Sequence, residues 1–177
     1  VVRSYPVEND GAGYKGSIVN ILEARKDQWF RPIDVAVAPD GSLFVADWYD
    51  PGVGGHQVGD VDRGRIYRIA PKGSDYEIPK AEVASIPGAV KALVNHNPAT
   101  RFLGWNALAS AGSNAEGALK ELWTSGGPRQ KAQAIWLLSR LPGKEDEYIT
   151  LALSDQDTNL RITGIRIARS LHKDILP

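Results

Sequence analysis

The feature that most limits what this chain folds into is an internal repeat in its second half. A step of 30 residues from Arg101 reaches Lys131 and then Arg161. The same step links Gly104, Ala134 and Gly164, then Trp105, Ile135 and Ile165, then Leu108, Leu138 and Ala168, then Ala111, Leu141 and Leu171. One helix earlier, Leu93, Trp123 and Leu153 fall into register, as do Ala89, Leu119 and Ile149. A unit of this length cannot bury its own apolar face and has to stack on further copies of itself. The spacing predicts about six helices over 86–172, in three antiparallel pairs. The small residues at 104, 134 and 164 predict a close approach within each pair. Trp105, Leu108, Trp123, Ile135, Leu138, Leu153 and Ile165 are expected to be largely buried. Two readings stand open for the basic residue that opens each second helix: a solvated charge, or one rung of a ladder with acidic turn residues such as Asp157.

Helix punctuation agrees with the repeat. Asn97-Pro98 and Gly127-Pro128 place proline at the first helical position, where its missing N–H costs nothing. Ser113 and Asn114 precede "AEGALKELW" as candidate N-caps, and Pro142-Gly143 interrupts the chain between the second and third pairs.

The first half has a different period. "GSIVNILEA", "IDVAVA", "LFVADW" and "GRIYRIAP" read as four strands, the middle two joined by the turn signal Pro39-Asp40-Gly41. Four antiparallel strands make one propeller blade or a small sheet. The expected fold class is therefore α+β by segregation. Residues 1–80 are expected to form a four-stranded, blade-like antiparallel sheet, and residues 81–177 a solenoid of three helical pairs.

Composition narrows the chemistry. Lys plus Arg and Asp plus Glu are both 21, a balance that gives no sign of a nucleic-acid partner. The chain has no cysteine, which removes disulfides, thiolate catalysis, Cys-ligated zinc and a haem c attachment site from it. No apolar run reaches the ~18 residues of a membrane span. The chain opens "VVRSYPVEND" and lacks methionine, so it is expected to be a processed chain or a piece of a longer protein.

"WFRPIDVAVAPDGSLFVADWYDPGVGGHQVGDVDRGRIYRIAP", Trp29 to Pro71, resembles the closing part of the β-propeller in bacterial membrane-bound dehydrogenases, a family similar to soluble quinoprotein sugar dehydrogenases. In that family the propeller is followed by HEAT-like repeats and often by a c-type cytochrome domain, and the order strands-then-helical-pairs is the same here. The resemblance implies a periplasmic or otherwise exported parent. It also implies PQQ and calcium in that parent, and haem c on a separate domain. The remaining blades, or other chains of a larger assembly, are then expected partners of the strand half. With unpaired strand edges inviting association, that half is expected to be covered by the helices or by other chains. A protein partner is expected on the helical repeats. The alternative is a non-catalytic HEAT-repeat module for protein binding or scaffolding.

"DWYDPGVGGHQVGDVDRG", Asp47 to Gly64, is the segment most suggestive of a site. So long a polar loop between two strands is more often functional than not. In a blade it shares a face with "DQWFRP", which makes Trp29, Arg31, Trp48, Tyr49, His56 and Arg65 the candidate ligand-facing residues. Asp47, Asp50, Asp60 and Asp62 are hard oxygen donors suited to calcium, although their spacing is not that of an EF-hand. Each of them equally suits hydrogen bonding to backbone N–H groups, and Asp47 caps a turn in that reading. His56 is the one candidate acid, base or ligand in the loop, and a local hydrogen-bonding role stands beside that reading. Trp48 and Tyr49 suit stacking on a sugar or quinone ring, or packing against a neighbouring blade. Arg65 and Arg68 also read as outward-facing strand charges.

Overall fold

A computed structural model describes residues 1–10, 13–50 and 62–174. The chain is of mixed α+β content and divides into two compact units, Val1–Glu77 and Ile78–Pro177.

The first unit begins with a nested antiparallel ribbon. Strand β1 (Val2–Ser4) pairs with β4 (Val19–Leu22), and β2 (Val7–Asp10) pairs with β3 (Gly13–Gly16). The Ser17 N–H donates to the Pro6 carbonyl at 3.0 Å and carries the pairing across the gap between the two ladders. Every described residue of β2 and β3 is exposed. The ribbon is followed by a three-stranded antiparallel sheet of β5 (Pro32–Val37), β6 (Leu43–Asp47) and β7 (Arg65–Ile69), in the order β5-β6-β7. The sequence predicts four strands in this sheet. The first of those, within "GSIVNILEA", pairs with β1 instead. Its alternation is satisfied equally well by either partner, because the period constrains the face and not the neighbour.

The β5–β6 turn forms as its residues dictate. Gly41 takes φ +85°, a conformation that favours glycine. The Asp40 carboxylate accepts the Ser42 N–H at 2.9 Å and the Ser42 hydroxyl at 2.7 Å. On β6, Val45 is fully buried. On β5, Ile33, Val35 and Val37 remain more than half exposed.

The second unit contains three helical pairs. These are α1 (Ile86–Leu93) with α2 (Pro98–Ala111), α3 (Glu116–Ser125) with α4 (Pro128–Leu138), and α5 (Glu145–Leu153) with α6 (Thr158–Ser170). The second helices start 30 residues apart, as the register requires. The close approach predicted at 104, 134 and 164 is present: all three residues are buried. A Cβ built on Gly104 would lie 2.4 Å from the Leu93 nitrogen and 2.6 Å from the Ala89 carbonyl oxygen. Leu108, Leu119, Ile135, Leu138 and Ile167 fill the core.

Trp105, Trp123 and Leu153 are partly buried against this core, but Ile165 is 50% exposed. Its register mates lie at the first and middle pairs. Ile135 of the middle pair is fully buried because helices pack on both sides of it, through α3 and through α5 and α6. Helix α6 packs on α5 and α4, and Ile165 is not among the side chains buried there. Ser113 and Asn114 do not cap α3. They lie in a 3-10 turn, Gly112–Ala115, and the helix starts without a side-chain cap. The Asn97 and Asp157 side chains do cap α2 and α6, accepting the Ala99 N–H at 2.9 Å and the Asn159 N–H at 2.8 Å.

The basic residues opening the second helices take a third role. Arg101 donates to the Asn95 and His96 carbonyls at 3.0 and 2.8 Å, and Arg161 donates to the Asp155 and Gln156 carbonyls at 2.8 and 2.9 Å. Each guanidinium satisfies carbonyls left unpaired past the end of the preceding helix. Lys131, in the middle pair, lies over the Trp123 ring at 5.7 Å. Among the described residues no helix is long and apolar enough to cross a membrane.

Candidate functional site

Four of the six candidate ligand-facing residues converge at the C-terminal end of β6, and Asp47 organises them. Its side chain is fully buried. One carboxylate oxygen accepts the Arg31 N–H at 2.7 Å and the Tyr49 N–H at 3.2 Å. The other accepts Nε and Nη2 of Arg65 at 2.8 and 2.6 Å. Arg65 also pairs with Asp27 at 2.8 Å and lies 4.0 Å from the centroid of the Tyr49 ring, with Tyr67 at 5.4 Å. Trp29 meets Tyr49 edge-on at 5.7 Å. Arg31 turns its guanidinium back onto the Gln28 and Phe30 carbonyls. Tyr49 holds this position with φ +52°, a left-handed conformation uncommon outside glycine and asparagine.

The electrostatics follow from this packing. Burial pulls the Arg65 guanidinium down, and the Asp27 and Asp47 carboxylates outweigh it, holding it above its ordinary value. The hydrogen bond from Arg65 holds Asp27 below the usual carboxylate range. Burial raises the Tyr67 phenol. Two carboxylates face two guanidinium groups, so the cluster is close to neutral and each charged group has a partner.

Trp48 does not join the cluster through its ring. Its N–H donates to the Arg31 carbonyl at 2.9 Å, and its side chain is largely exposed. Asp50 is half-buried and Asp62 is exposed. His56 and Asp60 lie outside the described residues. Among the described residues no group of three His, Asp or Glu side chains is placed to hold a metal. At Asp47 one oxygen accepts backbone N–H groups and the other the Arg65 guanidinium. The Asp47 carboxylate, among the described residues, is thus occupied by protein donors. What the cluster does chemically is lock two loops together and leave the Trp29 and Trp48 rings at the surface.

Sequence reasoning missed Asp27 and Tyr67 as members of this site. Asp27 carried a local signal, since its carboxylate accepts the Trp29 N–H two residues on, at 3.1 Å. Tyr67 carried none beyond strand alternation. A second cluster was missed in the helical unit. Glu116 accepts hydrogen bonds from Lys144 at 2.6 Å and from the buried Tyr148 hydroxyl, and it pairs with Lys120 at 3.0 Å. Lys144, Tyr148 and Lys120 together hold the Glu116 carboxyl down to about 2. Burial, then Glu116, pushes Tyr148 up to about 12. Only the Glu116–Lys120 spacing of four was visible in the sequence.

The fold and the site thus define a strand-rich unit with an aromatic, ion-paired loop junction, joined in sequence to three helical pairs. Residues 1–73 are similar to a family described as a domain of unknown function, DUF7133. The match covers the strand-rich unit and stops short of the helices. No curated protein and no solved structure matches the chain significantly.

Proposed function

We propose that this chain is part of a larger, exported quinoprotein-like sugar or alcohol dehydrogenase, to which it contributes one propeller blade and a HEAT-like docking module. The observation that carries this reading is the apolar edge of the three-stranded sheet. Strand β5 pairs on one side only among the described residues, and Ile33, Val35 and Val37 stay more than half exposed. An edge strand with an apolar surface is an association site unless something covers it. Neighbouring blades are the cover that the resemblance implies. The order of elements supports the same reading, since the three helical pairs follow the sheet directly.

In this proposal the Asp47–Arg65 junction is a wall that presents Trp29 and Trp48, and the catalytic groups belong to other blades. PQQ and calcium would be held there, and haem c on a separate domain. The cofactor supplies the redox chemistry when bound, and no step is assigned to residues of this chain. The test is the full-length parent, purified and loaded with PQQ and calcium. The proposal expects a bound-quinone absorbance and dye-linked oxidation of aldoses or alcohols. Absence of both would overturn it.

A second reading, a non-catalytic scaffold, is favoured by one feature. The ionisable groups of the described loop cluster are engaged in ion pairs, hydrogen bonds or ring contacts, as in a structural junction. Partner capture by the parent without quinone binding would support that reading.

A further inference from the structure

Charge in the helical unit is segregated by helix. The second helices α2, α4 and α6 carry Arg101, Arg129, Lys131, Arg161, Arg166 and Arg169, and they contain no Asp or Glu. The first helices α1, α3 and α5 carry Glu116, Glu121, Glu145, Asp146 and Glu147 against only Lys91 and Lys120. None of the six cations on the second helices forms an ion pair among the described residues. Arg101 and Arg161 are tied to backbone carbonyls and Lys131 to an indole ring. Arg166 and Arg169 have neither tie and are exposed.

These two arginines share one surface with two apolar side chains. Ile162, Ile165, Arg166 and Arg169 occupy positions i, i+3, i+4 and i+7 of α6, which a helix of 3.6 residues per turn brings onto one face. All four are exposed, Ile162 at 40% and Ile165 at 50%. Asp146 on the neighbouring α5 is engaged by Lys173 at 2.9 Å.

We infer that this face of α6 docks a short acidic polypeptide segment carrying apolar residues, with carboxylates on Arg166 and Arg169 and aliphatic side chains against Ile162 and Ile165. Two guanidinium groups without counter-charges favour carboxylates, which they bind in bidentate fashion. The two isoleucines on the same face favour a peptide with aliphatic anchors over a polyphosphate chain. The inference deepens the docking role proposed for the helical unit and rests on that role alone. The redox half of the proposal is read separately from quinone absorbance, so either can fail without the other.

The test uses the full chain and a fluorescent synthetic peptide alternating Glu with Leu, with oligo-Glu and a single-stranded oligonucleotide as competitors. Saturable binding of the Glu–Leu peptide is expected, weakening as salt is raised. Arg166→Glu with Arg169→Glu should weaken it at least about tenfold, as should Ile165→Glu. Both lie on an exposed face, and unchanged circular dichroism will verify that these variants are folded. Reversing two exposed lysines of the first unit, Lys15→Glu with Lys72→Glu, changes net charge equally and should leave binding intact. Absence of saturable binding would overturn the inference, as would equal competition by the oligonucleotide. Equal loss on reversal of Lys15 and Lys72 would also overturn it, because attraction would then follow net charge and not this face.

Discussion

Gly104 and Asp47 show how single positions set local geometry here. At Gly104 the obstacle to a side chain is the backbone of α1, which cannot yield as a flexible side chain would. Gly104→Ala should therefore destabilise the chain by about 1–3 kcal/mol, after allowing for the helix propensity that alanine adds. Gly164→Ala meets the Ala152 Cβ at 3.0 Å and Leu153 atoms at 3.2 Å, a milder contact, and should cost less. Urea denaturation of the two variants side by side checks the order. At Asp47, substitution by Asn removes the charge that holds Arg65 and leaves Asp27 as its partner. The strand unit should lose protection and the Tyr49 contact should loosen, whereas the exposed Asp62→Asn should be silent. Hydrogen exchange of the Arg31 and Tyr49 amides reads this directly, and equal behaviour of the two variants would refute the role given to Asp47.

At the scale of elements, β7 pins both ends of the β5–β6 hairpin. Arg65 holds Asp47 at the end of β6, and Arg68 pairs with Asp40 of the turn at 2.9 Å. Between helices, the cluster of Glu116, Lys120, Lys144 and Tyr148 ties α3 to the start of α5. Its pH dependence has a definite sign. The Glu116 carboxyl is lowered from 4.5 to about 2 on folding, so its contribution is complete above about pH 4.5 and lost as pH falls towards 2. The Tyr148 phenol is raised from 10.0 to about 12, so its contribution is complete below about pH 10 and lost as pH rises towards 12. Melting temperatures across both ranges should show both limbs. Glu116→Gln should flatten the acid one, and an unchanged acid limb in that variant would show that the cluster contributes nothing. Within the core, Leu138 is fully buried, and Leu138→Ala should cost about 2–5 kcal/mol. An unshifted thermal midpoint would place Leu138 outside the core.

Over the whole molecule the two units differ in how much they bury. The described strand unit buries the apolar side chains Phe30, Ala38 and Val45, while the helical unit holds a continuous core from Ala89 to Ala168. A two-stranded ribbon is marginal by itself, and small cores give little stability. Residues 78–177 expressed alone should therefore fold and melt cooperatively. The amides of β1 to β4 should exchange fastest in the full chain, because few buried contacts oppose their opening. Slow exchange in the ribbon would contradict this.

The helical pairs were legible from the sequence because each pair is built from neighbours in the chain: Arg101 and Arg161 both bond carbonyls at the end of the helix before, and Leu108 and Leu138 are both buried. The turn at Pro39-Asp40-Gly41 was legible for a similar reason, since its conformation is chosen by the residues in it. The strand-rich unit was legible in its strands and not in their pairing. Alternation tells a strand which face is apolar, but only the tertiary structure decided that Val19–Leu22 pairs with Val2–Ser4 and not with the sheet. The site divides along the same line. Its aromatic and charged residues stood out as a group in the sequence, and Asp47 and Arg65 were both named from it. Their union across 18 residues, with Asp27 added, depended on which side chains met when β6 and β7 paired. Local spacing reports on what a residue can do, and long-range contact decides which of those capacities is used.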